Sequence, residues 1–332
     1  MPKFLIIRFS SIGDIVLTTP VVRCLKQQVA GAEVHYLTKA GSASLLEANP
    51  YIDKLHLHEG DLKDTIKRLR AEHFDHIIDL HHNLRTLRVK RALGVKGRSF
   101  NKLNFEKWLM TAFKIDRLPS VHIVDRYLET VEDFGVMNDG KGLDFFIPEE
   151  KRVDPAHLPE THRSGFAGLV IGAALATKKL PEEKLRQICT GLKYPIVLLG
   201  GPEDAEAGQR IASQQPHVFN ACGGFTLLQS ADLVRQARVI VTHDTGLMHI
   251  AAAFCKPIVS IWGNTIPAFG MGPYFPADHQ PWAFSFEVEK LSCRPCSKIG
   301  YKKCPKGHFK CMQMQDTDAI LGKVRAYLNP IS

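Results

Sequence analysis

Asp14 occupies a position in the sequence where a carboxylate could take part in a reaction. It follows the apolar run 4–7 and a turn of small residues ending in Gly13, and it opens a helical pattern over 15–22. This order predicts a strand, a tight turn and a helix. Because such a turn lies at the carboxyl edge of a parallel sheet, where open α/β folds bind ligands, we expect the carboxylate to point into a cleft. There it could take a proton from a substrate; the alternative is that it only caps the helix.

A second helix start, at residues 244–249, has the features of a phosphate site. The end of a β-branched strand is followed by Asp244 and Thr245, whose oxygens can cap a helix, and by Gly246, which lets a ligand approach the backbone. The free N–H groups of the helix start and the positive end of its dipole favour a diphosphate. The alternative is an ordinary N-cap followed one turn later by a buried His249.

Four cysteines near the end of the sequence have the number and type of ligands of a structural zinc site. Cys293, Cys296, Cys304 and Cys311 lie within 19 residues, with His308 among them. In a reducing compartment four thiolates satisfy the tetrahedral coordination of zinc. The alternatives are free thiols packed under a loop, or a disulfide formed on purification.

Basic residues follow a predicted strand in the first half of the chain. The strand at 74–80 leads into His82 and Asn83, and the helical pattern after them carries Arg85, Arg88 and Arg91. Guanidinium groups bind two oxygens of a carboxylate or phosphate at once, so this stretch suits an acidic sugar or a phosphorylated lipid. The alternative is a solvated basic helix face.

Strand and helix patterns alternate along the whole chain, which predicts parallel sheets. The predicted strands are 4–7, 34–37, 54–57, 74–80, 168–171, 195–199, 239–242 and 257–261. The predicted helices are 62–70, 182–192, 204–213, 227–236, 245–254 and 316–328. A polar stretch at 148–164 separates the two halves. We therefore expect an α/β fold of two doubly wound, Rossmann-like domains that face each other across a substrate cleft.

Length, charge and hydrophobicity limit the number of domains, the type of ligand and the location that we expect. A chain of 332 residues accommodates two domains of ordinary size. Its 43 Lys and Arg against 34 Asp and Glu give a net charge of +9, which favours anionic ligands. No apolar run approaches the roughly 20 residues that span a bilayer. Because Arg8 stops the first apolar run too early for a secretion signal, a cytoplasmic location is expected.

Two of these motifs resemble those of glycosyltransferase family 9, the enzymes that move heptose from ADP-heptose onto lipopolysaccharide core. The first turn of that family reads Arg-x-Ser-Ser-x-Gly-Asp, which is matched here from Arg8 to Asp14. Its nucleotide-side motif, Asp-Thr-Gly-x-x-His, is matched from Asp244 to His249.

A third motif of the family, Lys-x-Trp-Pro at a helix start, is matched in part. Lys178 and Pro181 take the Lys and Pro positions, while Leu180 stands where the family has Trp. The resemblance implies that Lys178 binds the donor phosphates, with Lys179 as a possible substitute. A solvated lysine pair is the alternative. The three motifs follow one another in the family's order, so the resemblance covers nearly the whole chain.

The resemblance also implies which residues do what. Asp14 would be the catalytic base, and Lys178 would stabilise the leaving diphosphate. The implied nucleotide-sugar-binding residues are Ser11, Gly13, Thr177, Lys178, Glu203, Glu206, Asp244, Thr245, Gly246, Leu247, His249 and Gly263. The acids among them at 203 and 206 are eligible to bind the ribose, although an acidic helix start explains them equally well. The expected acceptor-binding residues are His82, Asn83, Arg85 and Arg88.

The architecture that the resemblance implies is the two-domain GT-B fold. Residues 1–155 would bind the acceptor, residues 165–315 the nucleotide sugar, and the helix in 316–332 would pack back on the first domain. The implied reaction is inverting transfer of heptose from ADP-heptose to a lipopolysaccharide-core or related bacterial glycan, without a catalytic cofactor or a divalent ion. An anionic glycan or glycolipid acceptor would bring the enzyme into peripheral contact with the inner face of the cell membrane.

Two other functional classes remain open at this point. One is a different nucleotide-using enzyme of Rossmann type, such as a dehydrogenase. The first turn has one Gly where a dinucleotide fingerprint needs Gly-x-Gly-x-x-Gly, and the sequence contains no Gly-Lys-Ser/Thr phosphate loop. The other is a nucleic-acid-binding protein that grips phosphates through its basic, Cys-rich segment, which would leave the strand-edge motifs unexplained. No specific nucleic-acid partner is therefore expected.

Overall fold

The protein is described by a computed structural model over residues 1–279 and 283–329, and it divides into two compact units. The first unit comprises Met1–Lys102 and Val121–Phe146. The second comprises Leu103–Ser120 and the described residues from Ile147 onward. The units therefore differ from the predicted domains 1–155 and 165–315. The segment 103–120 belongs to the second unit, and the main boundary lies at residue 146.

The first unit is built on a five-stranded parallel sheet of order β3-β2-β1-β4-β5. Its strands are β1 Lys3–Ile7, β2 Glu33–Lys39, β3 Lys54–His58, β4 His76–Asp79 and β5 Gly97–Ser99. Its helices are α1 Ile12–Val16, α2 Thr19–Gln28, α3 Leu62–Arg70, α4 Leu84–Leu93 and α6 Ile123–Leu128. The apolar run 4–7 is fully buried at the centre of the sheet, as expected for a parallel strand covered on both faces.

The second unit is built on a six-stranded parallel sheet of order β11-β10-β9-β6-β7-β8. Its strands are β6 Ala167–Val170, β7 Ile196–Leu199, β8 Val218–Asn220, β9 Val239–His243, β10 Ile258–Trp262 and β11 Ala283–Glu287. Its helices are α5 Asn104–Phe113, α7 Glu182–Gly191, α8 Ala205–Ala212, α9 Leu227–Gln236, α10 Gly246–Ala253, α11 Lys310–Gln313 and α12 Thr317–Leu328.

Both sheets reverse their direction of winding at one place. In the first sheet the reversal lies between β1 and β4, and in the second it lies between β6 and β9. In doubly wound folds the loops at such a switch point splay apart, and ligands bind in the crevice outside the carboxyl ends of the strands. The turn before Asp14 follows β1, and the segments that carry Lys178 and Asp244 follow β6 and β9. The sequence motifs therefore lie at the switch points.

The last helix packs within the second unit. Ile320, Leu321 and Val324 of α12 are buried in the same hydrophobic core as Leu185 and Ile188 of α7. The expectation that the helix in 316–332 packs back on the first domain was therefore wrong for its described part. Burial of this apolar stripe against α7 accounts for its position. Residues 330–332 lie outside the described part of the chain.

Within the residues that the structure describes, no helix is both long enough and apolar enough to cross a bilayer.

Candidate active site

Asp14 lies in the first turn of α1 and is held by two neighbours. Its Oδ1 is 2.6 Å from Nη2 of Arg8, and its Oδ2 accepts hydrogen bonds from the backbone N–H and the hydroxyl of Ser11. Arg8 is itself buried at the end of β1, where it also donates to the Tyr127 hydroxyl at 3.0 Å. The carboxylate is thus fixed in orientation and keeps part of its surface exposed.

The charge of Asp14 is set by a balance of two effects. Burial by itself raises the pKa of the Asp14 carboxyl, but the Arg8 guanidinium and the Ser11 hydrogen bonds outweigh it. The pKa therefore lies below its usual value, and the carboxylate stays ionised at neutral pH. Nearby, burial lowers the pKa of His81 to about 4, so this imidazole is neutral.

We expect the variant Arg8→Met to shift the acid limb of the pH–rate profile upward. In the wild-type protein activity should persist until the pH falls below about 4, the ordinary pKa of an aspartate. Without the guanidinium, only the Ser11 hydrogen bonds oppose the effect of burial, so the pKa of Asp14 rises. The profile of kcat/KM against pH measures the shift, and an unmoved acid limb would show that Asp14 does not control it.

The same pKa shift affects stability. Because the folded-state pKa of Asp14 lies below its unfolded value, the ion pair contributes stability above the unfolded pKa and loses it as the pH falls through the folded pKa. The Arg8→Met variant should lose this contribution. The acid unfolding midpoint of the two proteins provides the check.

The expected acceptor residues divide into structural and exposed groups. Asn83 caps α4, because its Oδ1 accepts the Thr86 N–H at 3.0 Å. The Nδ1 atom of His82 bonds the carbonyl of Phe100. Arg85 and Arg88 are exposed on α4. Arg85 lies over the ring of Phe9, with its Cζ 5.2 Å from the ring centroid. Phe9 itself lies between β1 and Asp14.

The second unit brings Lys178 to the Asp-Thr-Gly segment. The Lys178 Nζ atom is 2.6 Å from Oδ2 of Asp244, which also accepts a hydrogen bond from the Thr265 hydroxyl at 2.9 Å. These three side chains come from the loops after β6, β9 and β10. They place one cation directly beside the first turn of α10, where backbone N–H groups point outward.

Lys179 has a different partner. Its Nζ atom is 2.6 Å from Asp204, a nearly buried carboxylate that also accepts the N–H of Gly201. The two acids proposed for the ribose, Glu203 and Glu206, are exposed beside it at the start of α8. Sequence reasoning missed Asp204, although it lies between them, because nothing in the local pattern shows which of three acids turns inward.

The helix start at α10 has the backbone geometry of an anion site. Thr245 is the N-cap residue, and its side chain makes no capping hydrogen bond; its hydroxyl instead lies 3.2 Å from that of Thr242. Gly246 and Leu247 form the first turn. Because the Thr245 side chain does not cap this end, the end can bind a ligand. His249 is buried one turn later, as its alternative interpretation expected.

His243 joins the two loops of the second switch point, and sequence reasoning did not single it out. It is buried at the end of β9, and its Nε2 accepts the backbone N–H of Leu180 at 3.0 Å. Burial lowers the pKa of His243 to about 4, so the ring is neutral and can accept this bond. The bond fixes the chain just after Lys178, which is why we regard His243 as a positioning residue.

Thr177 and Gly263 help to fix the backbone around this site. The Thr177 hydroxyl accepts the Tyr301 N–H at 2.7 Å, which ties the Lys178 loop to the Cys-rich segment. A side chain at Gly263 would approach the Thr177 carbonyl to 2.9 Å, so only glycine fits there. Arg294 donates to the carbonyls of Gly263 and Thr265. Sequence reasoning missed Arg294, because its partners lie about 30 residues away.

The four cysteines of the Cys-rich segment form no disulfide bond with one another. Cys293, Cys296, Cys304 and Cys311 are all free thiols. The Cys293 sulfur is 3.8 Å from Nε2 of His308. Burial, together with the nearby thiols of Cys296 and Cys304, raises the pKa of Cys311 to about 11. The segment therefore offers soft ligands of the type that zinc prefers, but among these described residues no three cysteine and histidine ligand atoms lie within 4.8 Å of one another.

Among the described residues, the tightest group of potential metal ligands lies elsewhere, in the first unit. It consists of His35, His56 and Glu72, whose ligand atoms lie within 4.8 Å of one another. The two imidazoles share a hydrogen bond of 2.9 Å. Glu72 already pairs with Lys54 at 2.6 Å and with Lys3 at 3.9 Å. These two ammonium groups oppose a divalent cation, so we assign no metal to this group.

Comparisons with known proteins settle the family. The model of glycosyltransferase family 9 (heptosyltransferase) matches residues 63–301, which is most of the chain. The chain belongs to this family. It is therefore a glycosyltransferase, as its motifs predicted.

Individual relatives agree over nearly the full length. Lipopolysaccharide heptosyltransferase 2 of Salmonella typhimurium is 26% identical over 293 residues, which cover 80% of this chain and 84% of the relative. A family 9 glycosyl transferase from Veillonella parvula superposes with a TM-score of 0.77 at 24% identity, covering 98% and 97% of the two chains. The ADP-heptose lps heptosyltransferase II of E. coli superposes with a TM-score of 0.73 at 20% identity, covering 98% of each. The fold is thus that of these enzymes, as expected.

Proposed function

We propose that the protein transfers heptose from ADP-heptose to an anionic acceptor of the lipopolysaccharide-core type, with inversion at the anomeric carbon. The observation that carries the proposal is the ion pair of Lys178 and Asp244 beside the open start of α10. A lysine and helix N–H groups at one switch point form a site for a diphosphate. Family membership supplies heptose as the sugar.

Asp14 is the base of the proposed reaction. The acceptor hydroxyl forms a bond to the anomeric carbon as the bond from that carbon to the diphosphate oxygen breaks. Asp14 takes the hydroxyl proton, and ADP leaves with the electron pair of the broken bond. Because Arg8 lowers the pKa of Asp14, the carboxylate is a weak base. A weak base suffices because bond breaking runs ahead of bond formation, and the positive charge on the anomeric carbon acidifies the attacking hydroxyl.

Lys178 and the N–H groups of α10 stabilise the departing ADP. Negative charge grows on the diphosphate during the reaction, so a fixed cation interacts more strongly with the transition state than with the bound donor. In the proposed mechanism this cation is Lys178, released from Asp244 toward the phosphate. No divalent ion is needed for this step.

A thermal-shift screen tests which nucleotide the second unit binds. ADP should raise the melting temperature in a concentration-dependent manner, because a ligand that binds only the folded state stabilises it by mass action. UDP, GDP and CMP are the matched comparisons and should have smaller effects. A preference for one of them would overturn the assignment of ADP-heptose as the donor.

We expect Arg85→Ala to raise the KM for the acceptor about tenfold and to leave the KM for the donor nearly unchanged. The exposed guanidinium lies beside the ring that precedes the Asp14 turn, so it can meet an anionic acceptor. Raising the salt concentration should weaken acceptor binding less in the variant than in the wild-type protein. Lys67→Ala, which removes an exposed charge from α3, is the control. Loss of ADP binding in Arg85→Ala would contradict the assignment.

We propose further that the Cys-rich segment holds one structural zinc ion through Cys293, Cys296, Cys304 and Cys311. Four free thiols in one segment support it, together with the contact of the Cys293 sulfur with Nε2 of His308 at 3.8 Å, and zinc would add its binding energy to folding. Cys293→Ser should lower the melting temperature by roughly 5 °C or more. Cys255→Ser, which changes a thiol outside the segment, is the control.

Elemental analysis of the wild-type protein decides the zinc proposal. It should give one zinc per chain, and chelation should lower the melting temperature together with activity. Fully stable protein without metal would overturn the proposal in favour of packed thiols. Loss of activity on chelation without loss of stability would contradict a purely structural role.

The acceptor class also bears on the protein's location. If the acceptor is a glycolipid, the enzyme works in the cytoplasm at the inner face of the cell membrane and touches that surface. This peripheral contact is part of the proposal.

A further inference from the structure

Helix α5 carries apolar side chains on the outside of the protein. None of its ten residues is buried. Phe105, Trp108 and Phe113 are 64%, 50% and 58% exposed, and Ile115 after the helix is 47% exposed. An amphipathic helix normally turns such residues toward the core. A contiguous apolar surface that stays exposed marks a contact with something outside the protein.

The exposed rings form one cluster. The ring centroids of Phe105 and Trp108 are 5.9 Å apart, and those of Trp108 and Phe113 are 5.1 Å apart. At 3.6 residues per turn the three positions fall within an arc of roughly 140°, so the rings line one side of the helix. They therefore present a single aromatic surface.

A strongly basic segment lies beside this helix. From Leu291 to Gln315 the sequence contains six Lys and Arg residues and no Asp or Glu. Two hydrogen bonds tie this segment to α5: Lys298 donates to the side chain of Asn104 at 3.1 Å, and Lys114 donates to the carbonyl of Pro295 at 2.7 Å. Its exposed lysines are Lys298, Lys302, Lys303, Lys306 and Lys310.

From this juxtaposition we infer that α5 and the basic segment together dock on the surface of an anionic lipid bilayer. The inference deepens the proposed function and rests on it for the lipid-borne acceptor. Aromatic and basic side chains on one face are the composition of interfacial membrane helices, in which the rings enter the headgroup region and the lysines meet anionic lipids. Protein–protein interfaces are enriched in aromatic residues but depleted in lysine, so the five exposed lysines favour a bilayer over a protein partner.

The lysines also explain why the contact is selective. A cationic side chain near an anionic surface adds about 1 kcal/mol of attraction, and this falls off within a Debye length. The rings alone would bind neutral and anionic bilayers alike. Binding should therefore require both anionic lipid and moderate salt.

Co-sedimentation with vesicles tests the inference. The full-length protein should bind vesicles of phosphatidylglycerol and phosphatidylethanolamine, and bind much less to vesicles of phosphatidylcholine. The triple variant Phe105→Ser, Trp108→Ser, Phe113→Ser should bind roughly tenfold or more weakly, since it removes the inserted apolar area. Met137→Ser changes an equally exposed apolar side chain elsewhere and should bind as the wild-type protein does.

A second variant separates charge from apolar insertion. Lys302→Glu, Lys303→Glu and Lys306→Glu together should weaken binding to the phosphatidylglycerol vesicles and remove most of its salt dependence. The emission of Trp108 should shift to shorter wavelength on vesicle binding, as judged by the difference from Trp108→Phe. The inference would be overturned if the wild-type protein did not bind the vesicles. It would also be overturned if the ring and lysine variants bound them as well as the wild-type protein does.

Activity on a deacylated, water-soluble acceptor keeps the two proposals apart. All of these variants should retain wild-type turnover on it, because none of the substituted side chains takes part in the proposed reaction. If none of the proteins transfers heptose, the proposed function fails while the vesicle result still stands. If size-exclusion chromatography shows instead that the rings hold two copies of the chain together, the bilayer inference fails.

Discussion

Asp14→Asn is expected to fold, to bind ADP as the wild-type protein does, and to lose roughly 100- to 10,000-fold in turnover, the range for a general base. The amide can keep the hydrogen bond from Ser11, but it cannot take a proton. ADP binding should persist because Lys178 and the start of α10, which bind the diphosphate in the proposed mechanism, lie in the other compact unit. Turnover under saturating donor and acceptor, with calorimetric titration of ADP, measures both effects.

Two controls distinguish loss of the catalytic base from loss of folded structure. The substitution leaves the buried Arg8 charge without its carboxylate, which costs stability. Circular dichroism and the melting temperature show whether the variant is still folded under assay conditions. Ser11→Ala keeps the carboxylate and removes one hydrogen bond, so it should lose far less activity. Wild-type turnover in folded Asp14→Asn would contradict the assignment of Asp14 as the base.

Lys178→Ala should lower kcat/KM by about 100- to 1,000-fold, the usual cost of removing one donor that stabilises a developing negative charge. Both donor binding and turnover should fall, with the larger share in turnover, since the diphosphate gains charge as it leaves. Steady-state kinetics with ADP-heptose varied at saturating acceptor separates the two.

Lys179→Ala is the matched control for this variant. It removes the same charge one residue away, but that lysine pairs with Asp204 and not with Asp244. Its effect on turnover should be small. If Lys179→Ala is the impaired variant and Lys178→Ala is not, the neighbouring lysine is the phosphate ligand. If neither is impaired, the proposed stabilisation of the leaving group is wrong.

The alternating pattern of the sequence was sufficient to predict the sheets. Helices at 62–70 and 227–236 begin and end where they were predicted, and each of the eight predicted strands is present within a few residues. This works because both faces of a parallel sheet are covered, so its strands are continuous apolar runs. The edge strands β5, β8 and β11 were not predicted. β5 and β8 have only three residues each, and the apolar residues of β11 are interrupted by Ser285.

Helix α5 escaped prediction for a different reason. An apolar stripe normally marks the buried face of a helix, and α5 has such a stripe without burying it. Its assignment to the second unit depends on contacts such as that of Lys114 with Pro295, which are 181 residues apart in the sequence. No local pattern contains that information.

The partners of the candidate site residues could be predicted only in part. Motif order placed Asp14, Lys178 and Asp244 at strand ends, and the structure adds the side chains that hold them. Arg8 was visible as a basic residue directly after a buried strand, a signal that could have suggested an ion pair. Thr265, Asp204 and His243 act through contacts between separate loops, and such contacts follow from the winding of the sheet, which sequence spacing does not specify.

The central claim is the transfer of heptose itself, and mass spectrometry of the acceptor after incubation with ADP-heptose tests it most directly. We predict that a lipopolysaccharide-core acceptor gains one heptose while one equivalent of ADP is released, and that Asp14→Asn forms this product at a rate reduced to the extent given above. An unchanged acceptor in the presence of active, folded protein, or transfer of a sugar from a different nucleotide donor in place of heptose, would contradict the account.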